Sequence, residues 1–188
     1  MHGESANAFQ LALPAWLASE DFSATACVGD DARVAFAIDL ARRNIVHGGG
    51  PFGAAVFDAE GRVVATGVNQ VVAQRCSLAH AELLALALAQ KTLGRFRLNA
   101  NGGRYILATS AQPCCQCFGA LVWSGIDELL VGARGEDVEA LTEFDEGPLP
   151  ADWIAQLQQR GITVRRDLQR EAARGVLADY VRLGGTRY

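Results

Sequence analysis

The sequence predicts one α/β domain in which a β-sheet lies between two layers of helices, and three observations support this. The chain has 188 residues, which is enough to bury one substantial core but few for two. Half of the residues are hydrophobic and 20% are charged, as in globular proteins and unlike disordered chains. A predicted hairpin is then followed by alternating helices and strands, an order typical of a three-layer α/β/α domain.

The beginning of the chain divides into an extension and the start of the domain. Residues 1–29 show no clear periodicity and predict an N-terminal extension, followed by a domain over residues 30–188. Asp30 and Asp31 are good helix caps, and the apolar residues after them recur at helical spacing. This predicts a first helix that ends at the glycine-rich residues 48–51.

The rest of the chain alternates between strand and helix patterns. Residues 54–57 and 62–66 predict a hairpin around the turn at 58–61. Alanine and leucine fill nearly every face of residues 78–93, which predicts a buried helix. The remaining predicted elements are a strand at 104–109, a helix at 114–123, a strand at 128–133, helices at about 137–141 and 153–160, a strand at 162–165 and a helix at about 167–183. The last two strands are separated by enough chain for a helical crossover, which favours a parallel pair.

Charge, apolar runs and cysteine content disfavour several classes of protein. The net charge of −4 is unfavourable for a partner whose phosphates must be neutralised. The longest apolar runs, such as residues 83–89, are too short to cross a bilayer, and no basic stretch near Glu4 precedes an apolar signal segment. Three of the five cysteines crowd together, a spacing more typical of metal ligands than of disulfides. We expect a cytoplasmic protein without nucleic-acid or membrane partners.

Two short motifs carry the candidate chemistry, His80-Ala81-Glu82 and Pro113-Cys114-Cys115-Gln116-Cys117. Cys114 and Cys117 are three residues apart on a predicted helix, so their sulfurs point to the same side. With the His80 imidazole they supply three zinc ligands and leave the fourth position open for water, as in catalytic zinc sites. Glu82 reaches such a water only if His80 lies at the first turn of its helix.

Each motif alone has another interpretation. A C-x-x-C pair can be redox-active or form half of a closed structural zinc site, for which Cys115 is a candidate fourth ligand. The two motifs together, in this order and on successive helices, favour the catalytic site. The order H-x-E…P-C-x-x-C is the signature of zinc-dependent nucleobase deaminases, in which the glutamate carries protons and does not bind the metal.

Further blocks of sequence resemble those of the cytidine deaminase superfamily. They are Gly50-Pro51-Phe52-Gly53-Ala54, Gly67-Val68-Asn69, Ala79-His80-Ala81-Glu82 and Thr109-Ser110-Ala111-Gln112-Pro113-Cys114. Phe118-Gly119-Ala120, Trp123 and Phe144-Asp145-Glu146 are similar to its guanine deaminase branch. The resemblance implies a five-stranded mixed sheet between helices, a homodimer, and the conversion of guanine, a small-molecule purine, to xanthine and ammonia.

The resemblance also implies roles for individual residues. His80, Cys114 and Cys117 would bind Zn²⁺, and Glu82 and Glu146 would be catalytic, Glu82 by shuttling protons and Glu146 also by reading the amino and N–H edge of guanine. Asn69 would form a hydrogen bond with the purine, Phe52 and Trp123 would form walls of the base pocket, and Tyr188 would cap it. Ala81 and Asp145 are further implied substrate contacts.

Departures from the family pattern concern the substrate more than the zinc. Gln112 stands where glutamate is usual, which removes a charge beside the zinc loop, and Thr142-Glu143 stands where glycine is common. Alternatives within the same chemistry are another aminopurine, an amino-triazine, guanosine or cytosine. A tRNA adenosine deaminase shares the zinc residues but needs a positive surface. A non-catalytic, zinc-stabilised binding domain is the alternative outside enzymes.

Overall fold

A mixed sheet of five strands forms the centre of the protein in the computed structural model, which describes residues 10–188. The strands are β1 (Gly53–Asp58), β2 (Val63–Val68), β3 (Tyr105–Ala111), β4 (Glu128–Ala133) and β5 (Thr163–Arg165). Their order across the sheet is β2-β1-β3-β4-β5. Strand β1 is antiparallel to both neighbours, whereas β3, β4 and β5 are parallel to one another. The predicted mixed sheet and the predicted parallel last pair are confirmed.

Helices cover both faces of the sheet, as predicted. They are α1 (Ala15–Ala18), α2 (Asp30–Val46), α3 (Val71–Gln74), α4 (Ala81–Leu93), α5 (Cys115–Ser124), α6 (Gly135–Thr142), α7 (Trp153–Gln158) and α8 (Arg170–Arg182), with a 3₁₀ turn at Leu98–Asn101. Helices α2, α6 and α8 pack on one face, and α4, α5 and α7 pack on the other. Among the described residues, no helix is both long and apolar enough to cross a membrane.

Strand β1 shows how one short strand serves two cores. Ala55 and Phe57 contact the core under α2 and α8, whereas Ala54 and Val56 contact the core under α4. This division follows from the alternation of side chains along a strand, because both faces of the sheet are covered. The strand is therefore apolar at successive positions and does not alternate with polar residues.

Residues 10–29, the described part of the predicted N-terminal extension, pack against the rest of the chain. Leu17 is buried, and the Trp16 ring stacks on His47 with 5.0 Å between centroids. The side chain of Gln74 on α3 bonds both the N–H and the carbonyl oxygen of Ala12. Residues 1–9 of the predicted extension lie outside the described part of the chain.

Helix α4 begins three residues later than predicted. The sequence pattern extended the helix back to residue 78, but residues 76–80 form turns instead, and the N–H of Gln70 holds this segment by donating to the Ala79 carbonyl oxygen at 2.8 Å. His80 has extended backbone, with φ −76° and ψ 152°, and is the N-cap residue of α4. The shift has a functional consequence, because it places His80 and Glu82 on either side of the helix start.

Candidate active site

The candidate functional segments lie close together at one end of the strands of the sheet. Strands β2 and β3 are both antiparallel to β1, so the ends of β2 and β3 and the start of β1 lie at the same edge. Phe52 precedes β1, Asn69 follows β2, and Gln112 follows β3. Gly67 on β2 lets the first turn of α4 approach closely, because a side chain there would collide with the Ala81 carbonyl oxygen.

His80, Cys114 and Cys117 form a cluster of three metal-ligand side chains. The Nδ1 atom of His80 lies 3.5 Å from Cys114 Sγ and 3.6 Å from Cys117 Sγ, and all three donor atoms lie within 4.8 Å of one another. Tetrahedral zinc, with bonds of about 2.05 Å to nitrogen and 2.3 Å to sulfur, separates such donors by about 3.6 Å. The cluster therefore fits a zinc ion, with three protein ligands and an open fourth position.

The two thiols are electrostatically different. A hydrogen bond from Cys117 is the main cause that lowers the pKa of Cys114 to about 4, and a hydrogen bond from His80 adds to it. The pKa of Cys117 is raised well above its ordinary value, because Cys117 is the partner in that bond and is buried. Cys114 is the N-cap residue of α5, where free backbone N–H groups also favour a thiolate.

Glu82 lies in the first turn of α4, two residues after the candidate ligand His80. Its side chain is buried, and burial raises the pKa of its carboxyl group to about 7, above the ordinary value near 4.5. A carboxyl group whose pKa is near neutrality can both accept and donate a proton, as general acid–base catalysis requires. The condition that His80 starts its helix, on which the role of Glu82 depended, is met.

A cavity of about 100 Å³ lies directly against the metal cluster. Its walls are formed by Phe52, Asn69, His80, Glu82, Gln112, Cys114, Phe144, Asp145, Glu146 and Tyr188. The structure thus brings to one cavity five of the predicted substrate residues, namely Phe52, Asn69, Asp145, Glu146 and Tyr188.

Two predicted substrate residues do not line this cavity. Trp123 is 75% exposed on α5, because it lies six residues beyond the ligand Cys117 and so faces away from it around the helix. The prediction that Trp123 walls the pocket is wrong for a single chain. Ala81 is fully buried against β2, and its carbonyl oxygen packs on Gly67 rather than in the cavity. Ala81 therefore supports the start of α4 and does not contact the cavity.

A buried polar network holds Asn69 in place. Asn44 of α2 is fully buried, and its Nδ2 donates to the carbonyl oxygens of Gly50 and Asn69, each at 2.8 Å. The Oδ1 of Asn44 accepts a hydrogen bond of 3.0 Å from Gln70. The Oδ1 of Asn69 accepts a hydrogen bond of 3.3 Å from the N–H of Val71, which leaves its amide nitrogen without a protein partner among the described residues.

Glu146 enters the cavity from the loop that follows α6. Burial is the main cause that raises the pKa of its carboxyl group to about 8, and the nearby Cys114 and Glu82 add to it. Asp145 also lines the cavity, but its Oδ1 accepts a hydrogen bond of 2.8 Å from the N–H of Gly147. The Asp145 carboxylate therefore shapes the loop in addition to facing the cavity.

Tyr188 lines the cavity of its own chain. The ring of Tyr188 packs on Phe144 with 4.7 Å between centroids, and its hydroxyl approaches Gly50 so closely that a side chain there would collide with it. Burial raises the pKa of Tyr188 above its ordinary value. The Tyr180 hydroxyl donates to the Thr186 carbonyl oxygen at 2.6 Å, which fastens the returning segment.

Sequence reasoning assigned no role to Gln112, Phe144 or Asn44 in the site. Gln112 and Phe144 line the cavity. The available signal was the position of Gln112 next to Pro113 and of Phe144 two residues before Glu146. Asn44 supports Asn69 from 25 residues away, and its signal was an asparagine on the apolar face of a helix, in line with the buried Ala37 and Ala41.

Residues 29–133 match the family model described as the cytidine and deoxycytidylate deaminase zinc-binding region. Among curated proteins, the chain is similar to a guanine deaminase from Bacillus subtilis, with 36% identity over 58% of this chain and 67% of that protein. It is also similar to a tRNA-specific adenosine deaminase from Buchnera aphidicola, with 28% identity over 69% of this chain and 79% of that protein.

Some solved structures are similar to this chain over nearly its whole length. A guanine deaminase from Nitrosomonas europaea is 44% identical, with a TM-score of 0.87 and coverage of 95% of this chain and 98% of that chain. A point variant of the protein NE0047 in complex with 8-azaguanine is 43% identical, with a TM-score of 0.90 and coverage of 96% and 100%. The family match covers more than half of this chain and includes all three candidate metal ligands. The chain therefore belongs to the cytidine and deoxycytidylate deaminase family.

Proposed function

We propose that this protein is a zinc-dependent guanine deaminase, which converts guanine and water to xanthine and ammonia. The observation that carries the proposal is one cavity that joins an open three-ligand metal cluster to two carboxyl groups, the buried Glu82 and the half-buried Glu146. The similarity to guanine deaminases, and to a protein crystallised with a guanine analogue, supports the choice of substrate.

The size of the cavity favours a free base. Its volume of about 100 Å³ is below the roughly 300–1,000 Å³ of pockets for drug-sized ligands. Phe52 and Phe144 lie 5.7 Å apart, between ring centroids, and offer apolar surface to a planar ring. A single heterocycle is therefore the ligand that the cavity fits best.

Zinc held by His80, Cys114 and Cys117 would supply an activated water molecule as the nucleophile. Glu82 accepts a proton from the attacking water and delivers it to the ring nitrogen beside C2 of guanine. The water oxygen bonds to C2, and Glu82 or Glu146 carries the second proton from that oxygen to the exocyclic amino group. The bond between C2 and this nitrogen then breaks, and ammonia leaves to give xanthine. Closure by Tyr188 excludes bulk water and strengthens these polar contacts.

Two side chains provide the recognition of guanine in this proposal. Glu146, ionised when these donors stabilise its negative charge, accepts hydrogen bonds from the ring N–H and the 2-amino group, the donor-rich edge of the base. The free amide nitrogen of Asn69 donates to an acceptor atom of the purine. Adenine lacks the 2-amino group and would leave the Glu146 carboxylate unsatisfied, at a cost of about 1–3 kcal/mol or more.

A panel of substrates tests the proposal by measuring the ammonia released from guanine, guanosine, adenine, cytosine, an amino-triazine and a tRNA anticodon hairpin. We expect guanine to have the highest kcat/KM and the hairpin to be inert. The net charge of −4 supports the second expectation. Faster release from cytosine or from the hairpin would assign the protein to another branch, and no release from any compound would favour a binding domain.

We also propose a homodimer located in the cytoplasm, with residues 1–29 as an extension of the domain at 30–188. Trp123 supports the dimer, because a large apolar side chain that is 75% exposed on α5 is well suited to an interface. The five cysteines, all unpaired, support a reducing compartment. Light scattering tests the dimer, and a mass equal to that of one chain would contradict it.

A further inference from the structure

The loop that carries Glu146 has little structure of its own. It lies between the end of α6 at Thr142 and the start of α7 at Trp153, and both neighbours of Glu146 are exposed. Phe144 anchors the loop on one side, because its ring is buried. On the other side, Glu146 depends on contacts with a different segment of the chain to stay in the cavity.

That segment is the first turn of the metal-binding helix. The N–H of Cys115 donates a hydrogen bond of 3.1 Å to the carbonyl oxygen of Glu146. Cys115 is the first residue of α5, and N–H groups in the first turn of a helix have no acceptor within the helix. Glu146 supplies that acceptor from outside. The backbone that carries two metal ligands is thereby bonded to the residue that faces the substrate.

Gly147 makes this contact possible in two ways. Its φ of +69° lies in the left-handed region, which favours glycine. Moreover, a Cβ at this position would lie 2.5 Å from the Sγ of Cys115, closer than real Cβ contacts. The hydrogen bond from the Gly147 N–H to Asp145 Oδ1 then closes the turn around Glu146.

We infer that Gly147 is a positioning residue, whose close contact with Cys115 docks the Glu146 loop on the metal-binding helix. A side chain at position 147 would lift the loop from α5, and Glu146 would leave its place beside the metal cluster. Asp145 contributes to the same docking through its turn. The kinetic consequences of this inference rest on the proposed function, whereas the docking itself does not.

Kinetics of a small set of variants test the inference. Gly147→Ala is expected to lower kcat/KM for guanine about 100-fold, because misplacement of a reacting group by about 1 Å has an effect of this size. Its zinc content should remain that of the wild type. Gly161→Ala is the matched control, because Gly161 has φ +81° and nothing within 4 Å of an added Cβ. We expect unchanged kcat/KM for this control.

A double variant separates the collision from the backbone strain. Cys115→Ala removes the sulfur that an added Cβ would meet, so Cys115→Ala combined with Gly147→Ala should recover about tenfold relative to Gly147→Ala alone. Cys115→Ala by itself provides the reference. Wild-type turnover by Gly147→Ala, or a double variant no faster than the single one, would overturn the inference.

Hydrogen exchange measures the docking without any substrate. The Cys115 N–H should exchange about tenfold faster in Gly147→Ala than in the wild type, and an unchanged rate would overturn the docking. If the wild type releases no ammonia from guanine, the proposed function fails, but the exchange measurement still tests the docking. If Gly147→Ala does not fold, the same measurement is made on two variants of Asp145. Exchange should be faster in Asp145→Ala but not in Asp145→Asn, which retains the acceptor Oδ1. Equal exchange rates in these two variants would count against the inference.

Discussion

The Nδ2 atom of Asn44 donates a hydrogen bond of 2.8 Å to the main-chain carbonyl oxygen of Asn69. This bond joins the buried Asn44, near the end of α2, to the segment that follows β2 and faces the cavity. Asn44 also donates a hydrogen bond to Gly50, so it holds the two segments, at Gly50 and at Asn69, that lie near Tyr188.

The variant Asn44→Asp replaces the two donated hydrogen bonds by repulsion between a carboxylate and two carbonyl oxygens. We expect a raised KM for guanine and a loss of stability of about 1–3 kcal/mol or more. Asn99→Asp is the matched control, because Asn99 donates to Asp127 at 2.9 Å at the opposite edge of the sheet. Thermal unfolding should show both variants destabilised. An equal KM in the two variants would contradict a role for Asn44 in the site.

Cys117→Ala removes one of the three metal ligands and is expected to abolish most zinc binding. Metal analysis of the purified protein should give about one zinc per chain in the wild type and far less in this variant. Cys115→Ala is the control and should retain its zinc, since the Cys115 sulfur lies against Gly147 and outside the cluster. A fully loaded Cys117→Ala protein would refute the ligand assignment.

Glu82→Gln keeps the shape of the side chain but cannot carry a proton. We expect turnover of guanine to fall by about 10⁴, the upper end of the range for general acid–base groups, because Glu82 serves more than one step. Zinc content and melting temperature should stay near those of the wild type. Turnover within about tenfold of the wild type would contradict the role, since even the lower end of that range exceeds it.

Tyr188 is expected to contribute to guanine binding through its ring. Tyr188→Ala removes the contact with Phe144 and should raise KM for guanine about tenfold, as expected for the loss of a large aromatic contact. Tyr188→Phe keeps the ring and separates the contribution of the hydroxyl. Arg187→Ala is a control, because its salt bridge with Glu143 is exposed on both sides and contributes little. Wild-type kinetics in Tyr188→Ala would exclude a closing function.

The environment of Asp137 predicts that the protein loses stability in acid. Hydrogen bonds from Arg170, followed by the Arg134 backbone and Arg174, hold the pKa of its carboxyl group below the ordinary value. The side chain is buried, and Arg170 binds both its oxygens, at 2.7 and 2.8 Å.

A lowered folded-state pKa adds stability above the unfolded pKa of about 3.9, and this stability is lost as pH falls through the folded value. Asp137→Asn should therefore melt about 5 °C lower than the wild type at pH 7. The difference should shrink below about pH 4, because the carboxyl group of the unfolded chain begins to be protonated there while that of the folded chain is still ionised. A difference independent of pH would show that the ion pairs do not cause it.

The layered fold and the cluster of candidate metal ligands were predictable from the sequence, because both depend on local patterns. Apolar spacing located every strand of the sheet, and H-x-E with C-x-x-C placed the candidate ligands at the starts of two helices. The start of α4 was predicted too early, because Leu78 continues the apolar pattern although it is 48% exposed in a turn. That turn is held by Gln70, a contact that no local pattern contains.

Predictions for the substrate residues were less successful where direction around a helix decided the outcome. Trp123 fits the family motif, but its position on α5 points it away from the cavity. Asn44 was missed because its role depends on a pairing with Asn69, which only the folded chain creates. Long-range contacts of this kind require the three-dimensional arrangement of α2 and β2.

The arrangement of β1 between two strands that run opposite to it has a consequence for how this protein can be altered. The hairpin turn at residues 58–61 lies at the far end of β1 from Phe52, about 20 Å away along a strand of six residues. Glu128, with its ion pairs to Arg104 and Arg165, lies at that same distant edge. An inserted tag, fluorophore or surface tether in the hairpin turn would therefore leave the reacting groups undisturbed, and the enzyme could be immobilised with its cavity facing solution.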